Sequence, residues 1–102
     1  MTIRRFEWDE AKSRTNEQKP GLDFDTATLA FFDPFAFEEI ERIEDGEVRW
    51  HTIGYANSHL LLLVVHLIWE ENEDDGETEI IRIISARKTD RSERRRYENQ
   101  RR

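Results

Sequence analysis

The chain has no cysteine, which excludes disulfides and thiolate metal ligands and permits a reducing cytosol. Proline and glycine are scarce, with two and four residues in 102. Long hydrophobic runs are also missing. The longest, LLLLVVHLIW at 60–69, falls well short of the roughly 20 apolar residues a membrane helix needs. The opening MTIRRFEWDE has no apolar stretch of the kind a secretory leader carries. These absences lead us to expect a cytoplasmic protein with no membrane partner. Net positive charge is lacking too, since the formal net charge is −7. General affinity for nucleic acid is therefore not expected, although a local basic patch can still bind phosphate.

What is present argues for a folded core. The hydrophobic fraction is only 36%, but the apolar residues concentrate around Trp50, Ile53, 60–68 and 80–84, and 11% of residues are aromatic. The length suits one domain, 1–102. Charge is unevenly spread. Residues 38–79 carry 13 acidic and two basic side chains, whereas residues 80–102 carry nine basic and three acidic. The C-terminal fifth is thus a positive segment on an acidic body.

Local patterns predict the element order β–α–α–β–β–β–β–α. Residues 2–7 read as a short strand. Asp9 is a fair N-cap for a helix that should stop near KPG at 19–21. Asp23 should cap a second helix with Phe24, Ala27, Thr28 and Phe31 inward, ended by Asp33-Pro34. Residues 35–41 and 48–55 then read as strands joined by a tight EDGE turn. The run 60–69 is apolar on both faces, as a buried central strand should be. EENEDDGETE at 70–79 reads as a polar loop, 79–87 as the last strand, and Thr89 or Asp90 as the cap of a C-terminal helix. Sequential strands with short links predict an α+β domain built on an antiparallel meander.

Several stretches together resemble one family. They are FEWDEAK at 6–12, Asn16 with KPG at 19–21, FDTA at 24–27 followed by Asp33-Pro34, GEVRWHTIG at 46–54, IIRIISARK at 80–88, and Glu93-Arg94 with Tyr97. In this order, and over nearly the whole chain, they resemble the BrnT family of bacterial toxins. The resemblance implies a RelE-like α+β fold: an antiparallel sheet of about four to five strands, two N-terminal helices and a C-terminal helix. It also implies a type II toxin that cuts RNA without the ribosome, inhibits translation, and is neutralised by a BrnA-like antitoxin. DNA is reached only through that antitoxin, and the assembly is a homodimer or a toxin–antitoxin hetero-oligomer. The family usually has a histidine where Pro20 stands, so one acid–base candidate is missing. That departure, with the acidic body, motivates an alternative: a catalytically weakened partner or co-repressor of a DNA-binding antitoxin.

Metal-independent RNA cleavage must deprotonate the ribose 2′-OH, stabilise a phosphorane and protonate the leaving 5′ oxygen. Candidate cations are Arg49, Arg82, Arg87 and Lys88; arginine suits phosphate because its planar fork stays charged and donates twice. Arg82 sits among isoleucines, where a structural strand would prefer an apolar residue. In a regular strand Arg82 and Arg87 would face opposite ways, so only a bulge or a strand end would let both serve one site. Arg82 with Lys88 or Arg49 is the preferred pairing. His51 shares a face with Arg49 and can exchange protons near neutrality, although a half-exposed strand histidine is the blander alternative. His66 is expected to be a satisfied core histidine, and His59 an ordinary turn residue. Tyr97 is the one large anchor of the last helix and could approach the scissile group. Arg94 and Lys19 are candidate RNA contacts, and the 94–96 arginines could equally be a solvated surface. Asp9, Lys12 and Asn16 share one side of the first helix and could line a cleft. The histidine spacing suggests no zinc site, and neither metal nor cofactor is expected.

Overall fold

The computed structural model describes residues 3–17, 22–73 and 76–100, and all structural statements concern these. Lys19, Pro20 and both C-terminal arginines, Arg101 and Arg102, lie outside them. The elements in chain order are β1 (Ile3–Trp8), α1 (Glu10–Glu17), α2 (Phe24–Thr28) running into a 3-10 turn (Leu29–Phe32), β2 (Phe37–Glu44), β3 (Glu47–Asn57), β4 (Leu60–Glu73), β5 (Gly76–Lys88) and α3 (Arg91–Gln100). The strands form one sheet in the order β1-β5-β4-β3-β2. Four strands make the expected antiparallel meander. The fifth is a correction: β1 lies parallel to β5, so the sheet is mixed.

The local signals explain the element ends. Asp9 Oδ1 accepts from the N–H of Ala11 and Lys12, and Asp23 Oδ2 from that of Thr26, so both aspartates satisfy free donors at helix starts. At the β2–β3 hairpin, Asp45 and Gly46 both take positive φ, 53° and 78°, as a two-residue turn between twisted strands requires. The last helix opens with a reciprocal box. Glu93 N–H donates to Asp90 Oδ1 at 2.8 Å, and Asp90 N–H donates to Glu93 Oε1 at 2.9 Å.

The acidic segment 70–79 departs from expectation. Its described residues are strand rather than loop, because β4 continues to Glu73 and β5 starts at Gly76. Glu70 stands opposite Glu79, and Glu71 opposite Thr78. The like charges are offset from a neighbour far away in sequence: Arg4 of β1 pairs with Glu79 at 3.2 Å and Arg5 with Glu71 at 3.6 Å.

The two faces of the sheet are covered differently. One holds the main core: Leu62, Val64, Ile81 and Ile83 pack under Phe24, Ala27 and Ala30 from α2 and the 3-10 turn. The chain approaches so closely there that a Cβ on Gly54 would lie 2.3 Å from the Ala30 carbonyl oxygen. His66 is fully buried on this face, with Nε2 2.8 Å from the Thr52 hydroxyl and Nδ1 3.4 Å from the Leu67 carbonyl. Burial pushes its pKa down to about 4, so it stays neutral in the core. The other face carries α3, anchored by Tyr97 over Ile53, Leu61 and Leu63.

Candidate functional site

A bulge in β5 decides which side chains share a face. Val65 pairs with Ser85, but the next residue, His66, pairs with Ile83, so Ile84 is an extra residue in β5. Side chains of directly paired residues lie on the same face. Leu63, Val65 and Leu67 alternate along β4 on the α3 side, and their partners Arg87, Ser85 and Arg82 lie there with them. Regular alternation would have separated Arg82 from Arg87. The bulge brings them together instead, and sends Lys88, opposite Leu62, to the face covered by α2. Of the two pairings expected for Arg82, the one with Arg49 shares its face and the one with Lys88 does not.

Register therefore lays three rows across the α3 side. Phe37, Ile53, Leu63 and Arg87 form the row beneath the helix. Glu39, His51, Val65 and Ser85 form the next. In the third row Leu67 pairs with Arg82, which pairs with Glu7, and Arg49, two residues before His51 along β3, lies on the same face. Arg82 thus stands beside Leu67 on the face that also carries Arg49, with His51 and Ser85 flanking Val65 in the next row. Val65 and Leu67 are partly exposed and form an apolar floor between cations.

Each of these groups has a partner. Arg82 reaches Glu7 only loosely, at 3.8 Å with both side chains more than a third exposed, an arrangement of little energetic worth. Arg49 Nε lies 3.1 Å from Glu44, yet its N–H is buried with no hydrogen bond aimed at an acceptor. Arg87 makes a two-pronged bond to Glu93, 2.8 and 2.7 Å, tying the end of β5 to the start of α3. The hydrogen bond to Arg87 is the main cause of the lowered Glu93 pKa. His51 Nε2 is 2.7 Å from Glu39 Oε1, and Arg96 of α3 donates to the same oxygen. These two bonds, that from His51 first, hold the Glu39 carboxyl below its usual range.

Tyr97 occupies a structural position. It is 1% exposed, and its hydroxyl donates to Asp33 Oδ2 at 2.6 Å. Asp33 also accepts from the N–H groups of Tyr55 and Phe35. Arg94 is exposed and donates to the Tyr55 hydroxyl at 3.2 Å. Lys19, a candidate RNA contact, falls outside the described residues. On the opposite side of the sheet, Asp9, Lys12, Asn16, Phe24 and Ile84 border a depression of about 410 Å³. Its polar groups are largely committed: Asp9 caps α1, and Asn16 donates to the carbonyls of Leu22 and Ala86, joining α1 to β5.

Ser85, Glu39 and Arg96 belong to this face and were not expected from sequence. Glu39 and Arg96 are 57 positions apart, so only the docking of α3 makes them neighbours. Among the described residues, no three His, Asp or Glu side chains converge as a metal site, and no helix is long and apolar enough to cross a membrane.

An α+β domain with a mixed five-stranded sheet presents arginines, a histidine and an apolar floor on one face, and that face suits an anionic, base-bearing ligand. Comparison with known proteins gives the class a family. Residues 8–93 match the model of the ribonuclease toxin BrnT of type II toxin–antitoxin systems, and the chain belongs to that family. A solved structure, the Brucella abortus ribonuclease toxin BrnT, is similar in fold. It has a TM-score of 0.56 at 23% identity, over 87% of this chain and 99% of that one. No curated protein sequence matches.

Proposed function

We propose that this chain, read as one toxin domain over 1–102 with a RelE-like fold, is a ribosome-independent and metal-independent endoribonuclease of the cytoplasm. It inhibits translation by cutting RNA, and a BrnA-like antitoxin neutralises it. The observation that carries this reading is the row geometry: Arg82 stands beside Leu67, one row from the Glu39–His51–Val65–Ser85 row, on the face that also carries Arg49.

In this reading the scissile phosphate lies over Leu67. Arg82 and Arg49 hold its non-bridging oxygens and stabilise the phosphorane, and bases rest on the Val65–Leu67 floor. His51 takes the proton of the attacking 2′-OH. The new O2′–P bond forms as the O5′–P bond breaks, and the 5′ oxygen takes a proton from water. The products are a 2′,3′-cyclic phosphate and a 5′-hydroxyl. Arg87 acts mainly by tying β5 to α3 through Glu93, and Arg94 adds a phosphate contact at the rim. Tyr97 holds the helix in place, and Lys88 lies outside the site. Antitoxin-free protein with end-labelled RNA in ribosome-free buffer containing EDTA should yield cyclic-phosphate ends; intact RNA from folded protein would refute the reading.

One observation favours a second reading. Each of Arg49, Arg82 and Arg87 already has a carboxylate neighbour, which competes with phosphate. A weakened toxin kept as the binding partner of a DNA-binding antitoxin would show tight complex formation with no RNA cleavage.

A further inference from the structure

We propose that Glu39 is the positioning residue of the RNA-cutting reaction: it fixes the proton on His51 Nε2, so that Nδ1 is the nitrogen that exchanges a proton with the substrate. The inference rests on the ribonuclease reading of this face.

Glu39 of β2 stands directly opposite His51 of β3, and their side chains share the α3 side of the sheet. The 2.7 Å contact joins His51 Nε2 to a carboxylate oxygen. An ionised carboxylate only accepts, so Nε2 must carry the hydrogen. In the neutral ring the lone pair then belongs to Nδ1, and the nitrogen bound to one partner dictates what the other can do. The His51 side chain is 14% exposed, so part of the ring is open to a ligand.

Arg96 makes the arrangement more than a local pair. Its guanidinium donates to the same Glu39 oxygen that receives His51. This second donor favours the ionised carboxyl, and it comes from α3, which is otherwise anchored through Tyr97, Glu93 and Arg94. The orientation of His51 therefore depends on a helix that lies remote from it in sequence. Glu39 is set back from the floor of Val65 and Leu67 by the width of β3, so it acts through His51 rather than on RNA.

Nitrogen-15 NMR of the histidine rings near pH 8 tests this in the intact protein, alongside steady-state RNA cleavage. In the wild type, His51 should be wholly in the Nε2–H form, with that proton protected from exchange with water. Glu39→Ala should lose the protected proton and lower kcat at least tenfold, with KM for RNA changed less than twofold. Glu39→Gln, which keeps the size of the side chain and an amide oxygen able to accept from Nε2–H, guards against a folding defect and should retain the Nε2–H form and most of kcat. A wild-type His51 in the Nδ1–H form or in a free-solution mixture would overturn the proposal. So would full kcat in Glu39→Ala. A folded wild type that shows the protected Nε2–H but cuts no RNA would overturn the ribonuclease reading, and with it any catalytic role for Glu39.

Discussion

The two faces of the sheet are held by different physics. On one, α2 and its 3-10 extension press Phe24, Ala27 and Ala30 onto Leu62, Val64, Ile81 and Ile83, and the covering is apolar. On the other, α3 buries only Glu93 and Tyr97 and is otherwise tied by hydrogen bonds and ion pairs: Tyr97 to Asp33, Glu93 to Arg87, Arg96 to Glu39, Arg94 to Tyr55. Apolar burial contributes roughly 1.5–3 kcal/mol per large side chain and is insensitive to salt. Exposed ion pairs contribute up to about 1 kcal/mol and are screened. The first face stabilises the domain. The second leaves arginines and a histidine accessible, which is what a site for an anion requires.

Substitutions on the two faces should separate these roles. The largest effect belongs to the apolar face. Gly54→Ala would drive a methyl into the Ala30 carbonyl, and we expect a loss of about 3 kcal/mol or more in urea denaturation, near the upper end for overpacking.

The buried histidine gives a comparable effect through pH. His66 has a folded pKa of about 4 against 6.5 unfolded. The unfolded chain therefore takes up the proton first, and stability is fully present above pH 6.5 and lost as pH falls toward 4. Linkage bounds the loss at ~3 kcal/mol. Denaturation midpoints across that window should fall in the wild type, and the slope should flatten in His66→Gln.

Polar ties on the α3 side should be worth less. Glu93→Ala removes both the capping box and the partner of Arg87, and should cost about 1–2 kcal/mol in the same assay. Tyr97→Phe keeps the ring over Ile53 and Leu63 and deletes the bond to Asp33. About 1 kcal/mol is expected, with Asp33 still accepting from Tyr55 and Phe35. The smallest effect should come from Arg5→Ala, whose exposed pair with Glu71 spans 3.6 Å; a change below about 0.5 kcal/mol is expected.

Much of the fold could be read from local chemistry. The caps at Asp9, Asp23 and Asp90, the Asp45-Gly46 turn and the doubly apolar β4 each carry their own signal within a few residues. What escaped depends on partners distant along the chain. The acidic 70–79 stretch looks unable to pair until Arg4 and Arg5 arrive from β1. The bulge at Ile84 is invisible in a run of isoleucines, because any of them could be the extra residue. Without it, Arg82 and Arg87 cannot be placed on one face. The candidate site was therefore legible as a set of residue types, Arg49, His51 and Arg82, but not as an arrangement. Glu39 and Arg96 enter only once α3 is docked.

The central claim is that the α3 side of the sheet, and not the depression beside α1, acts on RNA. The most direct test compares cleavage of end-labelled RNA, in EDTA and without ribosomes, by the wild type, Arg82→Ala and Lys12→Ala. Arg82 is loosely paired on the first face, and Lys12 borders the depression on the second. The account predicts cleavage by the wild type, a loss of roughly 100-fold or more in Arg82→Ala, as for removal of a donor to a charged transition state, and near wild-type rates in Lys12→Ala. Loss of activity in Lys12→Ala with full activity in Arg82→Ala would place the site on the opposite face and contradict it.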